Sequence, residues 1–263
     1  MFAKNMALAV TFYGTSAAVP SLNRGFSCIG LSNDKNPEGG LVLLDCGDGA
    51  IRNLLKFGAK IENISTVVIT HYHSDHITGL TQIIESMAIK KKKTNLRIFG
   101  PLGLKEYFST IEKITNVASH RQFQIGLLEL SPNDNFKFEN YSATAFLMDH
   151  TIPCLGYRIS VSDSKIISYT GDTMPCASLK ELGKDSDVLI HEATFLQKDQ
   201  EKAREQKHST SLEAAKAAKS AKTKKLILTH VNDDSETEDK MIAEARPEFE
   251  DVVVANDGLG IKI

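Results

Sequence analysis

The sequence predicts an α/β protein arranged as a four-layer αββα sandwich. Three observations lead there. Short apolar runs of strand length alternate with longer segments whose apolar residues recur at helical spacing. The order of strands and helices in the first part of the chain is taken up again in the second, so two α/β halves can face each other sheet to sheet. Several strand-like runs end on histidine or aspartate, and sites in α/β proteins gather at strand ends. The expected organisation is one domain over residues 1–263, with two pseudo-symmetric halves at about 1–120 and 121–263.

In chain order, Ala7 to Tyr13 reads as a strand that ends in the small-residue loop Gly14 to Pro20, prolonged by Asn23-Arg24-Gly25. Cys28 to Leu31 and Leu41 to Asp45 form a hairpin across the turn cluster Asn33–Gly40. Gly47 to Phe57 is a helix with Ile51, Leu54 and Leu55 on its apolar face. Ser65 to Thr70 is a buried strand. His76 to Ile89 is a helix that places Leu80, Ile83, Ile84 and Met87 on one side. It ends in Lys90–Lys93, a solvated end that suits the helix dipole and offers cations to a polyanion. Leu96 to Phe99 is a strand, Pro101 to Gly103 a turn, and Leu104 to Ile114 a helix.

The second half supplies strands at Phe123–Leu130, Phe136–Phe138, Tyr141–Met148, Leu155–Val161, Lys165–Thr170 and Asp185–Ile190. Ser211 to Ala221 is an alanine-rich helix, Leu226 to Thr229 a strand and Glu236 to Ala245 a helix. Val252–Ala255 and Leu259–Ile263 close the sheet.

Composition is that of an ordinary soluble domain, 41% hydrophobic and 24% charged. No apolar stretch approaches the roughly 20 residues of a membrane span. Met1 to Val10 runs straight into a strand and does not read as a signal peptide. The formal charge of -2 excludes a globally basic protein, so any nucleic-acid contact needs a local patch. Cys28, Cys46, Cys154 and Cys176 form no CxxC pair and are expected as reduced thiols in a cytoplasmic protein.

The chemistry concentrates in Thr70-His71-Tyr72-His73-Ser74-Asp75-His76. An extended chain alternates sides, so His71 and His73 face one point. Asp75 and His76 begin the next turn and face a second. Imidazole nitrogen and carboxylate oxygen are natural ligands of zinc, manganese and iron. His150, Asp172 and His230 each follow an apolar strand and complete the set. Seven ligands suit two divalent metals: His71, His73 and His150 on one, Asp75, His76 and His230 on the other, Asp172 between them. Such a pair, about 3.5–4 Å apart, clamps a phosphoryl group. Zinc is the default, and manganese or iron also suits the donors. Asp45, in Leu44-Asp45-Cys46-Gly47, is placed to hydrogen-bond a ligand imidazole or simply to close a turn.

On these residues the sequence resembles the metallo-β-lactamase superfamily, and most of all its ribonuclease Z branch, the endonucleases that remove the 3′ trailer of precursor tRNA. The match extends through Phe12-Tyr13-Gly14-Thr15-Ser16 with Pro20 and Asn23-Arg24, through Leu155-Gly156-Tyr157-Arg158, and through Gly171-Asp172-Thr173. Its most specific part is Asp187 to Phe195, containing His191-Glu192-Ala193-Thr194, with His208-Ser209-Thr210. The resemblance implies the metallo-β-lactamase fold and a homodimer. It also implies catalytic roles: Asp75 helps generate the nucleophile, His208 protonates the leaving oxygen and Glu192 orients His208. Thr210 and Glu213 read as a capping box that puts His208 just outside a helix N-terminus. The helix end disfavours imidazolium and a carboxylate such as Glu192 favours it. The alternative is that Glu192 and His208 merely fasten the Lys198–Lys207 loop. His191 is expected to brace that loop, and His120 to lie at the surface.

Two departures bear on the substrate. Many bacterial relatives insert a long arm between the positions of His150 and Asp172, but only 22 residues separate them here. After His230 comes Val231-Asn232-Asp233-Asp234, which repels phosphate. Arg24, Arg158 and Lys90–Lys93 are the cations left to hold RNA, and the two arginines read equally well as ordinary surface residues. The substrate is therefore a precursor tRNA or, on the same fold, a small molecule: a cyclic nucleotide or other small phosphodiester, a lactone or a β-lactam. A third alternative is an RNA-binding or structural protein that keeps metal for stability.

Overall fold

The computed structural model describes residues 8–33, 40–117, 119–161, 165–232 and 237–263. The Asn33–Gly40 turn and the Asp233-Asp234 pair fall largely or wholly outside them. In the first half the chain forms β1 (Leu8–Gly14), β2 (Cys28–Asn33), β3 (Leu41–Leu44), α1 (Ala50–Lys56), β4 (Ile64–Val68), α2 (Ser74–Ile77), α3 (Gly79–Ile89), β5 (Leu96–Pro101), α4 (Leu104–Thr115) and β6 (Ile125–Leu130). The second half begins with β7 (Asn135–Phe138), β8 (Tyr141–Met148), β9 (Cys154–Val161), β10 (Lys165–Tyr169), α5 (Ser178–Gly183) and β11 (Val188–Glu192). It continues with α6 (Gln200–Glu205), α7 (Ser211–Ala221), β12 (Lys225–Thr229), α8 (Thr237–Ala245), β13 (Val252–Val254) and β14 (Gly260–Lys262).

Among the described residues the strands make two seven-stranded sheets, ordered β14-β1-β2-β3-β4-β5-β6 and β13-β12-β11-β10-β9-β8-β7. Each is antiparallel on one side and parallel on the other, the change falling at β3 in the first and β10 in the second. One apolar layer lies between the sheets, where Phe12, Leu31, Val68 and Phe99 meet Phe138, Tyr157, Ile167 and Ile190. A second packs α1, α3 and α4 on the outer face of the first sheet through Leu54, Ile83, Ile84 and Phe108. A third packs α5, α7 and α8 on the second through Leu182, Ala214, Ala218 and Met241. These are the four layers expected, α, β, β, α.

The differences from expectation are instructive. β6 joins the first sheet as its edge beside β5, and β14 returns to pair with β1, so the passage between sheets follows Leu130 and is later reversed. The 76–89 helix is broken at Thr78 into α2 and α3. There Gly79 packs against the Cys46-Gly47 backbone so closely that a Cβ would lie 2.1 Å from the Gly47 carbonyl oxygen. The Lys198–Lys207 loop contains α6. Lys92 is buried, its ammonium donating to the Glu62 carbonyl at 2.7 Å and Thr94 Oγ1 at 2.6 Å, so the lysine run is not wholly solvated. All four cysteines are free. No helix among the described residues is long and apolar enough to cross a membrane.

Candidate metal centre

The site sits where both sheets present their strand ends. β4 carries the chain through Ile69 and Thr70 to His71, and its parallel neighbour β3 ends beside it at Asp45. Asp45 is fully buried with φ 59°, a left-handed turn that points its carboxylate back into the site. That carboxylate accepts from Thr70 N at 2.7 Å, Thr70 Oγ1 at 2.9 Å, Tyr169 OH at 2.8 Å and His76 Nδ1 at 2.8 Å. From the second sheet come Asp172 after β10 and His230 after β12. Gly171 (φ 59°) permits the turn before Asp172, since a Cβ there would meet Thr70 Cβ at 2.8 Å. His150 follows β8 at the same edge.

Seven side chains converge in two groups. His71, His73, His150 and Asp172 form one; Asp75, His76, Asp172 and His230 form the other, with ligand atoms in each lying within 4.8 Å of one another. His73 Nδ1 is 3.0 Å from both His71 Nε2 and His150 Nε2. His230 Nε2 is 3.1 Å from Asp75 Oδ2. Asp172 Oδ2 stands between the groups, 3.7 Å from His71 Nε2, 3.8 Å from His150 Nε2, 3.4 Å from His76 Nε2 and 3.5 Å from His230 Nε2.

In four of the five rings the far side explains which nitrogen faces inward. His71 Nδ1 lies 3.0 Å from Thr70 Oγ1, and that hydroxyl donates onward to Asp45, so the ring donates to it. His230 Nδ1 relates in the same way to Thr194 Oγ1 at 2.9 Å, which donates to Glu192 Oε2. His150 Nδ1 donates to the Lys207 carbonyl at 3.1 Å and His76 Nδ1 to Asp45. A neutral ring whose outer nitrogen is the donor turns a lone pair toward the centre, which is the ligating tautomer. Among the described residues, neither His76 Nε2 nor Asp172 Oδ1, both buried there, has a hydrogen-bond partner. Inward lone pairs crowded at 3.0 Å, with an orphaned ring nitrogen among them, fit a site for divalent ions.

Electrostatics at the first group agree with that fit. Burial holds His71 well below the ordinary imidazole range and lowers His73 and His150 as well. Burial opposes charge on Asp75 and Asp172, but the surrounding imidazoles outweigh it and hold both below the usual carboxylate range: His230 and His76 lie against Asp75, and His230, His76 and His71 face Asp172. His76 runs the other way: Asp172 and Asp45 flank it and push it up despite its burial.

A third group adjoins the second: Glu192, His208 and His230. Glu192 ends β11 and is buried. Its Oε1 accepts from Thr173 N at 3.0 Å and His208 Nδ1 at 2.7 Å, its Oε2 from Thr194 N at 3.1 Å and Thr194 Oγ1 at 2.8 Å. Burial works against a charge on His208, yet the Glu192 carboxylate prevails and pushes it up to about 9. The capping box of α7 is present, with Thr210 and Glu213 exchanging their bonds. The imidazole remains 13% exposed, reachable from solvent.

Two sequence candidates stand elsewhere. Arg24 is 2% exposed. It donates to Thr15 Oγ1 at 2.6 Å, the Ala255 carbonyl at 2.6 Å, Asn256 Oδ1 at 2.7 Å and Glu238, which ties the opening loop to the C-terminal segment and removes it from any substrate surface. Arg158 lies along β9, away from its site-end residue Cys154, and donates to the Leu182 carbonyl and Ser186 Oγ. His191 is buried, with Nδ1 donating to the Glu192 carbonyl at 2.7 Å. His120 is exposed beside Glu85. Sequence reasoning assigned no role to Thr70, Thr194 or Tyr169, whose hydroxyls orient the site. The two threonines stood in quoted motifs. The Lys207 carbonyl had no sequence signal at all.

A family model described as a beta-lactamase superfamily domain matches residues 41–231. Ribonuclease Z of Listeria monocytogenes is 31% identical, covering 95% of this chain and 97% of that protein. Ribonuclease Z of Methanosarcina acetivorans is 28% identical, covering 97% and 98%. The short form of human tRNase Z superposes with a TM-score of 0.82 at 29% identity, covering 96% of this chain and 98% of that one. The metallo-beta-lactamase fold protein YhfI of Bacillus subtilis gives 0.85 at 23% identity, covering 98% and 100%, a likeness of fold. The Listeria alignment runs over 303 positions against 263 residues here, so that relative carries segments with no counterpart in this chain.

Proposed function

The chain belongs to the beta-lactamase superfamily, and we propose that it is a ribonuclease Z-like hydrolase that cuts a phosphodiester bond in RNA, the 3′ trailer of a precursor tRNA. The observation that carries this reading is the shared oxygen, Asp172 Oδ2, between two four-donor groups, with His208 hydrogen-bonded to Glu192 alongside. His71, His73, His150 and Asp172 would hold one divalent ion, and Asp75, His76, His230 and Asp172 a second. Such ions activate water and stabilise the charge that builds on a phosphoryl group. The imidazole-rich donor set favours zinc.

The remaining work falls to the chain's own groups. Asp75 is held ionised at the second group and helps ready the attacking water. As the new P–O bond forms, the P–O bond to the departing ribose breaks and its oxygen needs a proton. His208 holds that proton at neutral pH because Glu192 raises its affinity, and it surrenders the proton from Nε2 while Nδ1 stays on Glu192. Thr194 binds Glu192 and His230 together, so proton donor and ligand keep one register. We extend the reading to a cytoplasmic homodimer on the resemblance to ribonuclease Z.

A second reading, a small-phosphodiester hydrolase with the same chemistry, is favoured by one observation: neither Arg24 nor Arg158 faces the site. Precursor tRNA and a small aryl phosphodiester, each with zinc or manganese, separate the two. Cleavage beside the acceptor stem supports trailer processing. Turnover of the diester alone moves the substrate to small molecules. Failure on both with metal bound would sink the phosphodiesterase reading and direct the search to lactones and β-lactams.

A further inference from the structure

Lys207 occupies a left-handed turn, φ 54°, a conformation that side-chain-bearing residues rarely adopt. The turn ends α6. Lys207 N donates to the Arg204 carbonyl at 3.1 Å and His208 N to the Ala203 carbonyl at 2.8 Å, the paired bonds of a Schellman cap, in which glycine is the usual occupant of the left-handed position. Three contacts leave this turn for the metal centre. The Lys207 carbonyl accepts from His150 Nδ1 at 3.1 Å and fixes the ring of a candidate ligand. The next residue, His208, is delivered onto Glu192 at 2.7 Å. The Lys207 ammonium donates to Asp149 Oδ1 at 2.8 Å, and Asp149 directly precedes His150.

We propose that Lys207 is a positioning residue whose left-handed turn sets the metal affinity of the His71–His73–His150 group and the placement of His208 together. The turn does both because the carbonyl and the following residue are rigidly linked: rotating φ out of the left-handed region swings the carbonyl off His150 and His208 off Glu192 in one motion. The inference rests on the phosphodiesterase reading for the His208 half; the His150 half concerns ion binding alone.

The test is a pair of variants that differ in tolerance of the turn. Lys207→Val, β-branched, opposes the left-handed conformation; Lys207→Gly adopts it freely but lacks the ammonium. Zinc titration of each metal-stripped protein is the first readout. K207V is expected to bind one of its two ions about 10–100-fold more weakly, the usual cost of losing a partner that orients a ligand histidine, and K207G to recover most of that loss. On a small aryl phosphodiester at saturating zinc, K207V is expected to lose kcat with KM nearly unchanged, again recovered by glycine. If K207V fails to fold, Lys207→Ala against Lys207→Asn carries the same contrast. Wild-type zinc affinity in K207V overturns the proposal. Equal losses in K207V and K207G overturn it too, because the ammonium–Asp149 pair would then be the feature that matters. The titration uses no substrate, so its outcome stands whether or not the chain cuts RNA.

Discussion

His76 Nδ1 donates to Asp45 Oδ2 at 2.8 Å, and neither side chain touches solvent. The pair spans β3 and the loop after β4, and it leaves His76 Nε2 aimed into the centre without a partner among the described residues. Replacing Asp45 by Asn keeps the shape but weakens the acceptor. We expect about 10–100-fold weaker binding of the ion at the Asp75–His76–His230 group, measured by competition with a chromophoric chelator. Unchanged affinity would mean that His76 is oriented by packing alone.

Asp172→Ala removes the oxygen common to both groups. Metal analysis after dialysis is expected to find less than one zinc per chain, with diester cleavage at background. Stripping the wild type with a chelator gives the same loss, but zinc restores the wild type and not the variant. Two tightly held ions in the variant would rule out a shared ligand.

His208→Ala is expected to lower kcat on a diester with a poor leaving group by about 10²–10⁴-fold, the range for a lost general acid. A nitrophenolate-type leaving group, which needs no proton, should suffer much less. Equal losses on both substrates would make His208 structural.

The pH profile follows from the direction of the His208 shift. Its affinity for the proton is raised to about 9, so the protonated form is complete at neutral pH and is lost as pH rises through about 9. Activity should therefore fall on an alkaline limb near that value. Glu192→Gln removes the charge that raises it, and the limb should move toward neutral pH. A limb that stays fixed in this variant would assign it to another group.

Arg24→Met separates a structural role for the buried guanidinium from a substrate-binding one. The buried guanidinium holds Thr15, Ala255, Asn256 and Glu238, and breaking such a buried network costs on the order of 3 kcal/mol. The melting temperature should drop, while KM for RNA at a temperature where both proteins are folded should not change. A raised KM with an unchanged melting temperature would return Arg24 to the substrate surface.

The sequence made local features legible. His71 to His76 could be read because alternation along a strand and one helical turn determine where neighbouring side chains point. Thr210 and Glu213 were readable because a capping box is complete within four residues. The three distant candidates His150, Asp172 and His230 were readable because each follows a recognisable apolar strand. What escaped is set by distance along the chain or by backbone conformation. The Arg24 bond to Ala255 joins residues 231 apart, so burial there has no local signature. The break at Thr78 depends on the Cys46-Gly47 backbone lying against Gly79. The placement of β6 depends on its partner, since edge strands of either sheet look alike in composition. The left-handed turn at Lys207 occurs at a residue type that gives no hint of it, and Asp45 and His230 are types that only lean toward that conformation.

The pairing of β14 with β1, in which Ala9 lies opposite Lys262, has a kinetic meaning. A growing polypeptide can assemble β1 to β6 early, but it must reach Gly260 before β14 covers the outer flank of β1. During that interval the flank offers unpaired amides and carbonyls to any passing strand, the usual seed of edge-to-edge association. A contact of such long range also slows the last stage of folding. Loss of β14 would therefore show itself first as poor yield and clumping during synthesis, while every histidine of the candidate metal centre remained in the sequence.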